Sequence, residues 1–352
     1  MKILFFYTEL AEYFISCVNT LSIKSNAEIH IVKWSVNKEA PFQFSFPEKI
    51  KTYNRREYNK KSLVELSENI SPDLIYCSGW MEDDYLFICK KFRNRISTII
   101  GFDNHWKGTV QQYIGTFAGR ILFHHYFSHC WVPGKPQIEF AKRLGFNNEN
   151  ILTGFYSCDY NFFHNLYLSN SEQKKKIFPH KLIFVWRYYA FKGIKDLWNA
   201  FMEIQNENPN DWELWCLGTG DIDPILHPKI KHFGFVQPKD MENIIRDGGV
   251  FVLPSTFEPW GVAVHEFSAA GFPLICSNEV GAHEIFLREN ENGFTFKAGD
   301  INGLKSAMKK IISLPNEKLF EMGEQSAELA KQITPDKWAD TLMSILKTGN
   351  RN

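Results

Sequence analysis

Residues 3–7 read ILFFY, five apolar residues with no polar break, and runs of this kind recur along the whole chain. In the first half they fall at 28–33, 74–78, 98–102 and 130–133. In the second half they fall at 182–186, 213–217, 232–235, 250–254 and 274–277. A strand with one wet face alternates apolar and polar residues, whereas a strand buried on both faces does not. Helical patterns lie between the runs, at 62–69, 135–144, 194–206 and 302–313. Continuous apolar strands separated by helices predict an α/β chain with parallel sheets covered on both sides.

A chain of 352 residues is long enough for two such domains. The alternation stops near Phe163 and restarts near Leu182, and the stretch HNLYLSNSEQKKKIFPHK between them is polar and rich in lysine. It reads as a linker. The predicted organisation is therefore two doubly wound Rossmann-like domains at 1–165 and 182–334, with a linker at 166–181. A C-terminal helix follows at 335–352, opened by Thr334-Pro335, and is expected to cross back to the N-terminal domain. Ligands of doubly wound sheets bind at the carboxyl ends of the strands. In a two-domain version that places them in a cleft between the sheets.

Forty basic and forty acidic residues give a formal net charge of zero, which argues against nucleic acid as a partner. Residues 1–168 carry 19 basic and 16 acidic residues, so the first half is slightly the more basic. The seven cysteines are scattered with no C-x-x-C pair and read as reduced thiols of a cytoplasmic protein. No apolar run approaches the ~18–20 residues that span a bilayer. The opening MKILFFYTEL reads as a first strand rather than a signal peptide.

The stretch PSTFEPWGVAVHEFSAAGFPLIC, residues 254–276, places Glu258 and Glu266 around a Pro-Trp-Gly turn. It follows a strand and opens a helix at Gly261. A helix N-terminus exposes unpaired N–H groups and suits a phosphate. Two acceptor-only carboxylates beside it suit the paired hydroxyls of a ribose or hexose. Together they suit a sugar attached to phosphate. Two solvated surface charges are the alternative reading of the same spacing. Upstream, Arg187 leaves a strand end and Lys192-Gly193 follows at a helix start. Two cations at a strand end suit a diphosphate, although single cations are commonly just solvated.

Arg187 with Lys192-Gly193, then CLGTGD, FVLPSTFEPWGVAVHEFSAAGFPLIC, EVGAHEIF and ENGFTF, follow one another in an order that resembles the second domain of family-4 retaining glycosyltransferases. Those enzymes have the two-domain GT-B fold and an E-x7-E signature, matched by Glu258 and Glu266. The resemblance is dense over residues 182–345 and thinner before 165. There SHCWVPGKPQIEFAKRLGF and GFYSCDYNFF fit the segment that closes the first domain, with Asp159 at the family's aspartate.

The resemblance implies roles for individual residues. Arg187 and Lys192 would bind the donor diphosphate. Glu258, with backbone N–H groups near Trp260, Gly261 and Val262, would hold the transferred sugar and distal phosphate. Glu266 would accept from the nucleotide ribose, and Glu284 matches a further acidic position. In the first domain His105, with Asp103 beside it, would face the donor sugar. The implied enzyme is a metal-independent retaining hexosyltransferase with no cofactor. It would move a sugar from a nucleotide-diphosphate donor to a hydroxyl of a growing glycan, such as a polysaccharide, lipopolysaccharide or lipid-linked saccharide. The alternatives are a non-catalytic sugar-nucleotide-binding subunit and another GT-B enzyme such as a sugar-nucleotide epimerase. The chain departs from the family at Trp186, where glycine is usual, and in TELAEYF after the first strand, which has no glycine.

Three other features point elsewhere. LGTGD, residues 217–221, is not G-x-G-x-x-G, which argues against a nicotinamide site. His125 and His129 stand four apart, but Tyr126 replaces the glutamate of a zinc protease motif. Lys90, Lys91, Arg93 and Arg95 read as a solvated helix face. A peripheral contact with the cytoplasmic face of a membrane, serving a lipid-linked acceptor, is the second reading of that run.

Overall fold

The computed structural model describes residues 1–35, 44 and 46–349, with side chains described as far as 346. It contains two units, Met1–Cys158 together with the chain from Ile333 onward, and Asp159–Gln332.

The first unit is built on β1 (Lys2–Tyr7), β2 (Glu28–Lys33), β3 (Ile50–Asn54), β4 (Leu74–Ser78), β5 (Ser97–Gly101), β6 (His129–Trp131) and β7 (Ile151–Leu152). Their order is β3-β2-β1-β4-β5-β6-β7, and every pairing is parallel. β1 shows why the apolar runs do not alternate. Ile3, Phe5 and Tyr7 enter one hydrophobic core, while Leu4 and Phe6 enter another on the opposite face. Both faces of the strand are dry, so both sets of side chains are apolar.

The C-terminal helix Pro335–Gly349 belongs to this unit and packs on the helix Glu12–Ser25. Trp338 is its anchor. The indole lies 4.7 Å from the Trp131 ring and 6.3 Å from the Phe5 ring, and its Nε1 donates to the Phe155 carbonyl at 2.8 Å.

The second unit carries β8 (Lys181–Val185), β9 (Glu213–Leu217), β10 (Ile230–Gly234), β11 (Val250–Leu253), β12 (Leu274–Ser277) and β13 (Gly293–Phe296). Their order is β10-β9-β8-β11-β12-β13, again wholly parallel. In both sheets the strand order reverses beside the first strand, which is the doubly wound arrangement.

The linker expected at 166–181 is helical as far as Lys176. The helix Tyr160–Lys176 lies inside the second unit and packs on the helices Val262–Ala269 and Asn316–Ala330. Asp159 caps it, accepting from the Phe162 N–H at 3.3 Å. Phe163, Asn170 and Lys174 form its buried stripe. Two of those three inward positions are polar, so the apolar periodicity that marks a helix is missing from the sequence. Asn170 satisfies itself on the Leu166 carbonyl at 2.7 Å, and the Lys174 ammonium sits 3.9 Å above the Phe272 ring. His125 lies in the last turn of the helix Val110–Tyr126 and His129 begins β6, so the two do not share a helical face.

Candidate functional site

In a doubly wound sheet the ligand crevice opens where neighbouring strands send their connections to opposite sides. In the second unit that point lies between β8 and β11, which are paired. The chain leaving β8 carries Arg187 and Lys192, and the chain leaving β11 carries Glu258. Glycine geometry brings the two loops together. Gly193 has φ of 71°, and a Cβ there would sit 2.3 Å from the Pro254 carbonyl oxygen. Thr256 then donates its N–H to the Phe191 carbonyl at 2.8 Å.

The result is an ion pair between residues 66 apart in sequence. Lys192 Nζ donates to Glu258 Oε2 at 2.6 Å, and each side chain is only 7% exposed. The same ammonium lies 4.3 Å from the Trp186 ring centroid and 4.8 Å from that of Phe191. Trp186, the departure from the family's glycine, is thus an aromatic wall for the lysine. Arg187 is partly buried, with its guanidinium carbon 6.0 Å from the Tyr189 ring.

The loop bearing Glu258 is clamped from its other side. Glu258 N–H donates to the Glu279 carbonyl at 3.2 Å, and its own carbonyl accepts from Gly281 at 3.0 Å. Ala282 donates to the Trp260 carbonyl at 2.9 Å. Gly281 is required by closeness, since a Cβ there would lie 2.2 Å from the Pro259 oxygen. Gly261, at φ of 91°, turns the chain into the helix Val262–Ala269. Among the described residues, the buried indole N–H of Trp260 has no hydrogen-bond partner.

Along that helix only Val262 and Glu266 retain surface exposure, and they stand four apart on one face. His265 faces inward, stacked 4.2 Å from the Phe286 ring, with Nε2 3.0 Å from the Ala330 carbonyl. Partial burial of the Glu266 carboxyl, with the nearby Asp159 charge adding to it, pushes it up to about 7. Sequence reasoning gave no sign of that neighbour, because Asp159 reaches the site only through the helix it caps.

A carboxyl that holds its proton more tightly when folded stabilises the fold below its unfolded pKa. That stability is lost as pH rises through the folded value. Glu266→Gln should therefore remove a pH dependence. Between about pH 4.5 and 7 the wild type should lose on the order of 2–3 kcal/mol relative to the variant. Thermal melts of both proteins across that range check this, and parallel curves would contradict the buried-carboxyl account.

Glu284 is an exposed residue of the short helix His283–Phe286, and its N–H donates to the Gly281 carbonyl at 3.4 Å. Asp103 and His105 belong to the first unit, just beyond β5. Asp103 Oδ2 accepts from the Tyr156 hydroxyl at 3.2 Å, and the His105 carbonyl accepts from Gln112 at 2.8 Å. The glycines of LGTGD are structural. A Cβ on Gly218 would meet the Trp186 oxygen at 1.9 Å, and one on Gly220 the Tyr188 oxygen at 2.5 Å. In the basic run, Glu68 takes Lys91 at 3.0 Å and both terminal nitrogens of Arg95 at 3.0 and 3.1 Å. All seven cysteines are buried. Among the described residues, no group of His, Cys, Asp or Glu is arranged to hold a metal ion, and no helix is long and apolar enough to cross a membrane.

Two doubly wound parallel-sheet units, the second with a cation–carboxylate pair at its switch point, define the GT-B class of fold. Residues 179–313 match the family described as Glycosyl transferases group 1, so the second unit carries a glycosyltransferase group 1 domain. The chain is 30% identical over 117 residues to an uncharacterized glycosyltransferase of Methanocaldococcus jannaschii, covering 31% of this chain and 30% of that one. It is 27% identical over 146 residues to a glycogen synthase of Mycobacterium tuberculosis, covering 39% and 35%. The chain thus spans about a third of the length of these curated relatives. Over 99% of this chain and all of the other, the fold matches that of HepE from Anabaena, solved in complex with UDP, with a TM-score of 0.71 at 14% identity.

Proposed function

We propose that the protein is a retaining glycosyltransferase that uses a nucleotide-diphosphate sugar and needs no divalent metal. The observation that carries this reading is the buried Lys192–Glu258 pair at the β8–β11 switch point. A buried ion pair costs desolvation and is weak evidence for stability. A lysine held there beside Arg187 and next to two helix N-termini is well suited to anionic oxygens. Arg187 and Lys192 take the diphosphate and stabilise the charge that grows on it as the glycosidic bond breaks. Glu258 and the Trp260 indole N–H serve the transferred sugar, with backbone N–H groups at Gly261 and Val262 on the distal phosphate. Glu266 accepts from the ribose, and Glu284 contributes as a further acidic group. In the first unit His105 and Asp103 serve the sugar. The departing diphosphate takes the acceptor's proton on the same face of the sugar, so no side-chain nucleophile is needed. The acceptor is a saccharide hydroxyl. The M. tuberculosis relative named for glycogen synthesis, and a Rhizobium meliloti relative named for lipopolysaccharide core biosynthesis, support a glycan product.

The test begins with a thermal-shift panel of nucleoside diphosphates and their sugars. A ligand at about 100 times its dissociation constant stabilises by ~2.7 kcal/mol. The best donor is then supplied in labelled form with saccharide acceptors, with and without chelator. The expected result is product with retained anomeric configuration at a rate the chelator leaves nearly unchanged. An absolute need for magnesium or manganese would overturn metal independence, and stabilisation without any product would favour a non-catalytic binding subunit.

Ribose hydroxyls donate to an ionised carboxylate, whereas Glu266 is half protonated near pH 7. Affinity for the bare nucleoside diphosphate should therefore rise more steeply between about pH 6 and 8 in the wild type than in Glu266→Gln, where only the ligand's own phosphate titrates. Calorimetric titration at several pH values measures this. An equal rise in both proteins would remove Glu266 from the ribose.

A further inference from the structure

The Lys192 ammonium is seated by more than its carboxylate. While Nζ donates to Glu258 Oε2 at 2.6 Å, the rings of Trp186 and Phe191 lie against the same charge, with centroids at 4.3 Å and 4.8 Å. Main-chain contacts that do not involve the lysine side chain hold each ring in place. Trp186 donates its N–H to the Leu217 carbonyl at 3.1 Å, and a Cβ on Gly218 would lie 1.9 Å from the Trp186 oxygen. The Phe191 carbonyl accepts from the Thr256 N–H at 2.8 Å and from its hydroxyl at 3.2 Å. The Phe191 ring stacks on that of Tyr189 with centroids 5.7 Å apart. One wall of the seat is therefore fixed to the end of β9 and the other to the chain leaving β11.

Carboxylate and rings act on the cation differently. The carboxylate carries a full charge and forms a charge-assisted hydrogen bond, so a second anion has to compete with it. A ring face attracts the cation through its quadrupole and carries no net charge. It keeps the ammonium in position while the hydrogen bond passes from one anion to another. Glu258 also gains from the exchange, since an oxygen that receives the ammonium is less available to a sugar hydroxyl. We propose that Trp186 and Phe191 are positioning residues, which seat the Lys192 ammonium so that an incoming diphosphate takes it over from Glu258 and releases that carboxylate to the sugar. This rests on the transferase reading of the site and adds an order of events to it, with the diphosphate engaged before the sugar is gripped.

The test is calorimetric binding of inorganic pyrophosphate and of ADP, CDP, GDP and UDP to the full chain, beside turnover of the matching sugar donor. Glu258→Gln keeps the shape of the side chain and removes the competing charge. It should bind the bare diphosphate about threefold more tightly than the wild type and turn the donor over about tenfold more slowly. Trp186→Leu keeps apolar bulk without a ring face and should lose about tenfold in diphosphate affinity, most of which Trp186→Phe restores. Phe191 is 43% exposed, so Phe191→Leu should melt like the wild type and still lose about threefold. Equal affinities in Trp186→Leu and Trp186→Phe, with no loss in Phe191→Leu, would reduce the rings to packing and overturn their positioning role. Affinity in Glu258→Gln at or below that of the wild type would overturn the exchange. A wild type that binds none of the diphosphates would overturn the transferase reading itself, whereas wild-type affinity in every variant would leave that reading standing and remove only this proposal.

Discussion

Lys192→Ala is expected to destabilise the second unit by about 3–5 kcal/mol, because it removes the ammonium that donates to the buried Glu258 carboxylate. The two atoms are 2.6 Å apart and each side chain is 7% exposed, so solvent screens the pair very little. For a unit of this size such a loss lowers the melting temperature by roughly 10 °C. Glu258→Ala strands the lysine and should cost a similar amount, less whatever the Trp186 and Phe191 rings return to the ammonium. The double variant Lys192→Met/Glu258→Leu should recover most of the loss, since apolar replacement of a buried pair is often neutral or stabilising. It should nevertheless be inactive. Thermal melts of the three variants read the coupling, and transferase assays of the double variant read the function. If the two single variants melted like the wild type, the pair would not be the buried contact described. If the double variant were stable and active, the pair would be structural and the proposed diphosphate site would be lost.

Arg187→Ala is expected to act on the rate with little effect on the fold. Arg187 stands where the chain leaves β8, two residues after the strand ends, and retains surface exposure. A hydrogen bond to a charged group contributes about 1.5–3 kcal/mol. One that strengthens as charge develops on a leaving diphosphate appears in kcat/KM. A loss of about ten- to several-hundred-fold follows, at ~1.4 kcal/mol per decade. Arg187→Lys should restore only part, because an ammonium lacks the planar two-pronged donor of a guanidinium. Steady-state kinetics with circular dichroism on both variants tests this. A folded Arg187→Ala protein with near-normal kcat/KM would remove the arginine from the diphosphate clamp.

The elements that carry the candidate residues were legible residue by residue. Arg187, Lys192, Glu258, Trp260, Gly261, Val262 and Glu266 all fall on the loops after β8 and β11 or on the helix that follows. Strand ends, glycine turns and helix starts are local features, so short windows of sequence reveal them. Less visible were the contacts made across long separations. Trp186 looked like a misfit for the family's glycine and proves to be the wall beside Lys192. Asp159 was placed only by resemblance, and its effect on Glu266 arises because the helix Tyr160–Lys176 docks on Val262–Ala269. In sequence that helix reads as a linker, since the packing of Asn170 and Lys174 is supplied by neighbours the local pattern does not contain.

From the sequence alone came the doubly wound class of the two sheets and the loops that carry the candidate residues. Unbroken apolar runs require two dry faces, and two dry faces require helices on both sides. Only the tertiary structure decided that β11 lies beside β8, which joins Lys192 to Glu258 across 66 residues. It alone decided which face of the helix Val110–Tyr126 is wet. A hydrophobic period records that a helix has an apolar side. Whether that side meets the core or the solvent depends on the neighbours, which are set by contacts distant in sequence.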